Sequence, residues 1–335
     1  MGSRIAICPG PRTGLLDHLV PLCSLLKMPL VVQDPWVQAA AEIFYPPIQI
    51  ELAEQQLQSL LDPYHILYTF ESCRLYPGAH RFGQEVYHGP QLSVCGVHGN
   101  SDKFREDYWA EQYANEDIVL LYGEHMRACF DKKGVLERVK KWVRVGNFRY
   151  AYYLKHREFF DQKVQSLLPA AKGRWRLLYA PTWSFPPAQG PQDSPFFEQM
   201  QKIFQVPSTI QLIVKLHPFM YRLFPELLQQ LREKYQTDQI VFLDEIPLVY
   251  PLLTQVDAYL GDYSSVGYDF LTTNKPLFLL TEGPLTQAGV FIPNLDLLYP
   301  TILQTQDCGH HNRQQIYDYT FGEPVPLDVL EEVLP

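Results

Sequence analysis

Two histidines each stand directly after an apolar run: His98 in CGVHGNSDK and His217 in KLHP. An imidazole titrates near neutral pH, so it can take a proton from an attacking hydroxyl or stabilise charge developing on a phosphoryl oxygen. Gly99 beside His98 lets backbone approach closely, and Lys215 precedes His217 by two residues, on the same face of an extended chain. Taken singly, such a histidine is more often a satisfied core or loop residue. Two at equivalent strand ends point to chemistry.

A third cluster lies in GDYSSVGYDFLTTNKP, Gly261 to Pro276. A strand ending at Gly261 hands over to a helix whose first turn carries Ser264 and Ser265, so two hydroxyls and several backbone N–H groups converge where a phosphate gains both hydrogen bonds and the positive dipole end. Asp269, one turn on, is spaced to accept from a ligand hydroxyl. Ordinary N-capping by serine uses the same pattern. Pro181 and Thr182 occupy the corresponding place after RLLYA.

Other chemistries fail on spacing. The sequence has no G-x-x-x-x-G-K-[ST], no G-x-G-x-x-G after the first strand, no H-E-x-x-H and no G-x-S-x-G. The six cysteines form no C-x-x-C pair and read as reduced thiols packed like small hydrophobes. His310 and His311 near Cys308 read as a polar surface loop, and nothing in the pattern requires a metal or cofactor.

The elements that must position these residues alternate. RIAIC (Arg4 to Cys8), PLVVQD, IQIEL, YHILYTF, QLSVCGV and DIVLLYG form one series of short apolar runs, with a helix expected from Gly14 to Lys27. RWRLLYAPT, QLIVKLHP, QIVFLD, DAYLGDYSS and KPLFLL form a second, at the spacing of βα units. The pattern implies an α/β protein with two doubly wound, mostly parallel halves. PPAQGPQDSP, Pro186 to Pro195, reads as a loop. In such sheets ligands bind beyond the carboxyl ends of the strands, where all the candidates fall.

A chain of 335 residues exceeds what one hydrophobic core usually supports, so two domains are expected, at 1–155 and 156–335. With 46% hydrophobic and 19% charged residues it is neither disordered nor collagen-like. The stretch Leu15 to Val32 is too interrupted by Asp17, His18, Pro21, Lys27 and Pro29 to span a bilayer or serve as a signal-peptide core, so a cytoplasmic protein is expected. Net charge is -9, yet Arg127 to Arg176 carries 14 Lys and Arg against four acids. This stretch suits a solvated face, a phosphate-facing wall or a weak contact with anionic membrane; nucleic-acid binding is disfavoured.

In order, VHGNSDK from Val97, GNFR from Gly146, YAPTW from Tyr179, KLHP from Lys215 and DYSSVGYDFLTTNKP from Asp262 resemble the motifs of the CDP-glycerol glycerophosphotransferase family. That family reads WHGTPLK, G-x-PR-D, YAPTWR, K-x-HP, and DYSS followed by a helix with an Asp and a K-x-P. The resemblance implies a GT-B fold, two Rossmann-like domains facing across a cleft, with the nucleotide held mainly by the C-terminal one. It implies a general base at His98 and a second essential histidine at His217. Ligand contacts are implied at Arg149, Pro181, Thr182, Lys215, Ser264, Ser265 and Asp269, and an acceptor side at Gly99, Asn100 and Ser101.

The implied reaction moves a glycerophosphate or related phospho-alditol group from a CDP-activated donor such as CDP-glycerol to a hydroxyl on a glycan, lipid-linked or small acceptor, releasing CMP without a cofactor. The implied setting is the teichoic-acid type of cell-envelope synthesis, in the cytoplasm or peripheral to the inner face of the membrane. This sequence departs from the family at Asn100, Ser101 and Asp102, which replace Thr, Pro and Leu, and at Ser184 and Phe185, which replace Arg and Asp. A GT-B glycosyltransferase or sugar-nucleotide epimerase using an NDP-sugar, and a non-catalytic nucleotide-binding relative, are the alternatives.

Overall fold

Apolar runs flanked by turn residues become the strands of two parallel sheets. The computed structural model describes residues 3–53, 60–71, 91–101, 110–183, 194, 196–243, 246–305 and 309–335. Cys73, Asp102, Ser184, Phe185, Cys308 and all but Ser194 of the expected Pro186 to Pro195 loop lie outside them.

The first sheet comprises β1 (Arg4–Cys8), β2 (Leu30–Val32), β3 (Ile50–Leu52), β4 (Ile66–Thr69), β5 (Leu92–Gly96), β6 (Ile118–Leu121) and β7 (Lys141–Arg144). Its order is β3-β2-β1-β4-β5-β6-β7, and every neighbouring pair is parallel. The second comprises β8 (Trp175–Tyr179), β9 (Ile210–Val214), β10 (Ile240–Phe242), β11 (Ala258–Gly261), β12 (Leu277–Leu279) and β13 (Val290–Phe291). It runs β10-β9-β8-β11-β12-β13, again all parallel. Both are doubly wound: the strand order reverses at β1/β4 in one and at β8/β11 in the other, which is where such sheets open a crevice.

Parallel strands covered on both faces must be apolar throughout. β4, β6, β9 and β11 are buried along their whole length, which is why they read clearly in the sequence. β7 went unread there because it is an edge strand in the basic stretch, with only Val143 of KWVR buried. The expected helix at 14–27 is a 3-10 turn over Thr13–Leu15 followed by an α-helix over Leu16–Leu26.

The chain divides into two compact units, the first taking Met1–Asn100, Phe104–Arg157 and Asp318–Pro335, the second Ser101–Lys103 and Glu158–Tyr317. The last 18 residues therefore belong with the first unit, whereas the sequence reading groups them with the second. Tertiary hydrogen bonds hold them there: Tyr68 Oη donates to Pro335 O at 2.6 Å, and Arg144 Nη1 donates to Glu323 O at 2.9 Å. Leu330 is fully buried in the same segment. Among the described residues, no helix is long and apolar enough to cross a membrane.

Candidate functional site

In the first unit, His98, the base expected from the sequence, stands two residues past β5. β5 ends at Gly96, where a Cβ would sit 2.1 Å from the Phe70 ring, so only glycine lets the segment after β4 pack this closely. Gly99 has φ 111°, a conformation L side chains rarely adopt, and it turns the chain immediately after the histidine. His98 Nδ1 lies 3.3 Å from Phe70 O. A carbonyl oxygen only accepts, so Nδ1 carries the hydrogen and Nε2 carries the lone pair, the tautomer a base requires.

Solvent reaches the His98 side chain, and the protein density around it nonetheless disfavours the charged form. Desolvation is the largest influence and lowers its pKa below the ordinary histidine value; Glu71 opposes this, Arg12 adds to it, and the Phe70 carbonyl opposes it. Arg12 and Glu71 are ion-paired with each other, past β1 and β4. The net direction keeps His98 neutral at pH 7. Asn100 follows at 1% exposure, and neither its Oδ1 nor its Nδ2 has a hydrogen-bond partner among the described residues. Each unmade bond of this kind costs about 1–3 kcal/mol.

In the second unit, the loops after β8, β9 and β11 are tied together by backbone and by one carboxylate. Lys215 N donates to Tyr179 O at 2.9 Å, and Ala180 N to Leu260 O at 3.2 Å, so pairing continues past the strand ends. Asp262 Oδ1 accepts from Thr182 N at 2.9 Å and from Ser264 N at 3.2 Å. This buried carboxylate clamps the two loops on either side of the switch point. Ser264 is the N-cap of the helix Ser265–Phe270, its Oγ accepting from Val266 N at 3.4 Å. His217 caps the helix Pro218–Leu223, its Nδ1 accepting from Phe219 N at 3.2 Å. With Nδ1 as acceptor, the neutral ring carries its hydrogen on Nε2 and is a donor there, the opposite tautomer to His98.

Pro181, Thr182, Lys215, His217, Ser264 and Ser265 thus lie at the carboxyl ends of the adjacent strands β9, β8 and β11. Ser101 belongs to this unit, where its Oγ donates to Tyr263 O at 3.1 Å. Gly99 and Asn100 belong to the first.

Arg149 and Asp269, both expected to touch ligand, are buried, as Thr182 and Lys215 are. Arg149 is 3% exposed, and its Nε donates to Asp17 Oδ2 at 3.0 Å. Asp269 is 2% exposed, and its Oδ1 accepts from Tyr250 Oη at 2.8 Å. In each case a buried polar side chain is held by a partner that local spacing does not reveal.

The strand-end rule singles out Asp262, with Ser264 and Ser265, directly past β11. Glu71 and Arg12 obey the same rule past β4 and β1 and are absent from the sequence-derived candidates. Asp262→Ala is expected to destabilise the protein by about 2–3 kcal/mol, because it leaves two inward-facing N–H groups without an acceptor. Asp262→Asn, which keeps Oδ1, should recover most of that in urea denaturation. An alanine variant as stable as the parent would show that the clamp contributes nothing.

Comparison with known proteins gives the family and the fold. Residues 84–282 match the family model described as CDP-glycerol:poly(glycerophosphate) glycerophosphotransferase. Two curated relatives are named teichoic acid glycerol-phosphate primase. The one from Bacillus spizizenii (strain W23) is 31% identical over 176 residues, and the one from Bacillus subtilis (strain 168) is 35% identical over 170. Each match takes in 50% of this chain and 41% or 40% of the relative, so the chain spans about two fifths of the length of the curated relatives it matches. The solved wall teichoic acid polymerase TagF superposes with a TM-score of 0.65 at 12% identity, over 99% of this chain and 88% of that one. At that identity the likeness shows a shared GT-B-like fold.

Proposed function

Because the chain belongs to the CDP-glycerol:poly(glycerophosphate) glycerophosphotransferase family, we propose that it transfers a glycerophosphate or related phospho-alditol group from a CDP-activated donor to an acceptor hydroxyl. The acceptor oxygen attacks the phosphorus that bears the alditol. A new P–O bond forms, the bond from that phosphorus to the bridging oxygen breaks, and CMP leaves with that oxygen. The acceptor proton passes to Nε2 of His98. Lys215 and the Nε2–H of His217 stabilise the charge that builds on the phosphoryl oxygens and on the departing CMP. Thr182, Ser264 and Ser265 hold the diphosphate beside Pro181.

The observation that carries this reading is the clamp of Asp262 across the β8/β11 switch point, which brings the hydroxyl-bearing residues Thr182, Ser264 and Ser265 of two loops next to the residues past β9. Arg149 and Asp269, held by Asp17 and Tyr250, contribute to the framework. The acceptor is a hydroxyl on a glycan, lipid-linked or small molecule. The reaction belongs on the cytoplasmic side of a membrane, with the basic stretch 127–176 toward anionic headgroups.

A thermal-shift panel of CMP, CDP, CDP-glycerol, CDP-ribitol, UDP-sugars and GDP-sugars tests the donor. A ligand at 100 times its dissociation constant stabilises the fold by about 2.7 kcal/mol, which is a shift of several degrees. The expected result is that CDP-glycerol or CDP-ribitol raises the melting temperature most, with CMP next. A response confined to UDP- or GDP-sugars overturns the proposal.

A further inference from the structure

Four aromatic side chains of the first unit close a ring at the carboxyl ends of its strands. His18 stands in the first turn of the helix Leu16–Leu26, Phe70 just past β4, Tyr122 just past β6, and Phe148 at the start of the helix Phe148–Lys155 that follows β7. Ring centroids are 5.0 Å apart for His18 and Phe70, 6.0 Å for Phe70 and Phe148, 5.7 Å for Phe148 and Tyr122, and 6.3 Å for Tyr122 and His18. All four are buried. A phenyl would fill the place of His18 as well by area, yet the residue is an imidazole, and its Nδ1 lies 2.7 Å from Tyr122 Oη. Burial first, then Arg149 and His98, lower its pKa well below the usual histidine value, so the ring is uncharged at pH 7. A hydrogen bond fixes the rotation of that ring, which packing alone leaves open.

Phe70 links this cluster to the base, because its carbonyl lies 3.3 Å from His98 Nδ1. Its ring is held on one side by β5, where a Cβ on Gly96 would stand 2.1 Å away, and is flanked by His18 and Phe148. In a close-packed interior such a ring does not shift without its neighbours. Resting on the transfer reading above, we infer that His18 is a positioning residue: hydrogen-bonded to Tyr122, it holds the Phe70 ring, and with it the Phe70 carbonyl that keeps the hydrogen of His98 on Nδ1 and the lone pair on Nε2. His18 touches no substrate in this role. With that carbonyl displaced, the neutral His98 ring is free to take either tautomer, and a ring with its hydrogen on Nε2 offers no base there.

The test uses His18→Phe and Tyr122→Phe, each of which removes the hydrogen bond and keeps a ring. In both, turnover of CDP-glycerol should fall about tenfold, as when the competent tautomer drops to about a tenth of the population. KM for CDP-glycerol should stay unchanged. In a His98→Ala background neither substitution should lower the residual turnover further, because the effect passes through His98. Nitrogen-15 NMR of histidine-labelled protein at pH 8, above the histidine pKa of about 6.5, reads the tautomer directly. The signals that His98→Ala removes belong to His98. They should show a protonated Nδ1 and a bare Nε2 in the parent, and a mixture weighted to Nε2–H in the variants.

An unchanged His98 tautomer in the variants overturns the inference, whatever the rate does. So does a loss of turnover that persists in the His98→Ala background, which confines His18 to packing. If His18→Phe does not fold, Tyr122→Phe supplies the same measurements. The tautomer is read without donor or acceptor, so a failure to turn over CDP-glycerol counts against the transfer reading, while the NMR result decides the role of His18.

Discussion

His98→Ala is expected to lower the turnover of CDP-glycerol by about 100-fold or more with the fold retained, because a positioned general base contributes 100- to 10,000-fold or so. The physical argument lies in the tautomer. The Phe70 carbonyl 3.3 Å from Nδ1 requires a hydrogen there and leaves the lone pair on Nε2. Desolvation lowers the pKa of the ring below the ordinary value, so the base is unprotonated at pH 7. The sign gives the pH profile. The kcat/KM of the parent should be full at neutral pH and fall on acidification through a pKa below the usual histidine value of about 6.5. In His98→Ala that acid limb should disappear along with the rate. Parent-like turnover in the variant, or an acid limb that survives the substitution, removes His98 from the mechanism.

His217→Ala should cost a similar factor for a different reason. Removing one preorganised donor from developing charge costs about 100- to 1,000-fold. His217 has a second duty, since its Nδ1 caps the helix Pro218–Leu223 through Phe219 N. Losing a cap costs about 1 kcal/mol. His217→Asn separates the two: its carbonyl can cap the helix, but it cannot place a ring N–H where Nε2–H stands. The expected outcome is a near-normal melting temperature with turnover still reduced by about 100-fold. An asparagine variant that restores turnover as well as stability would confine His217 to capping.

The two histidines have the same local signature in the sequence, an imidazole just past a buried strand, and the structure gives them opposite tautomers. A carbonyl lies against Nδ1 of His98 and an amide N–H against Nδ1 of His217. Phe70 is 28 residues from His98 in sequence, so this partner is set by the pairing of β4 with β5. Phe219 is only two residues from His217, so that partner is local to KLHP. The two tautomers are therefore distinguishable only once the sheet is formed.

By itself, the sequence determined the strands that are buried on both faces, because burial between two helix layers forces an uninterrupted apolar run. It also placed the candidate residues just past those strands, where doubly wound sheets open. Five motifs in order determined the family. Only the tertiary structure decided which polar side chains face one another. Asp17 meets Arg149 across 132 residues, Asp262 clamps Thr182 across 80, and 318–335 return to the first unit. The edge strand β7 also needed the structure, because a strand with one buried residue has no apolar run to read. The reason is common to these cases: apolar burial is a property of a segment and leaves its mark locally, whereas a hydrogen bond or ion pair is a property of two positions that sequence separation does not encode.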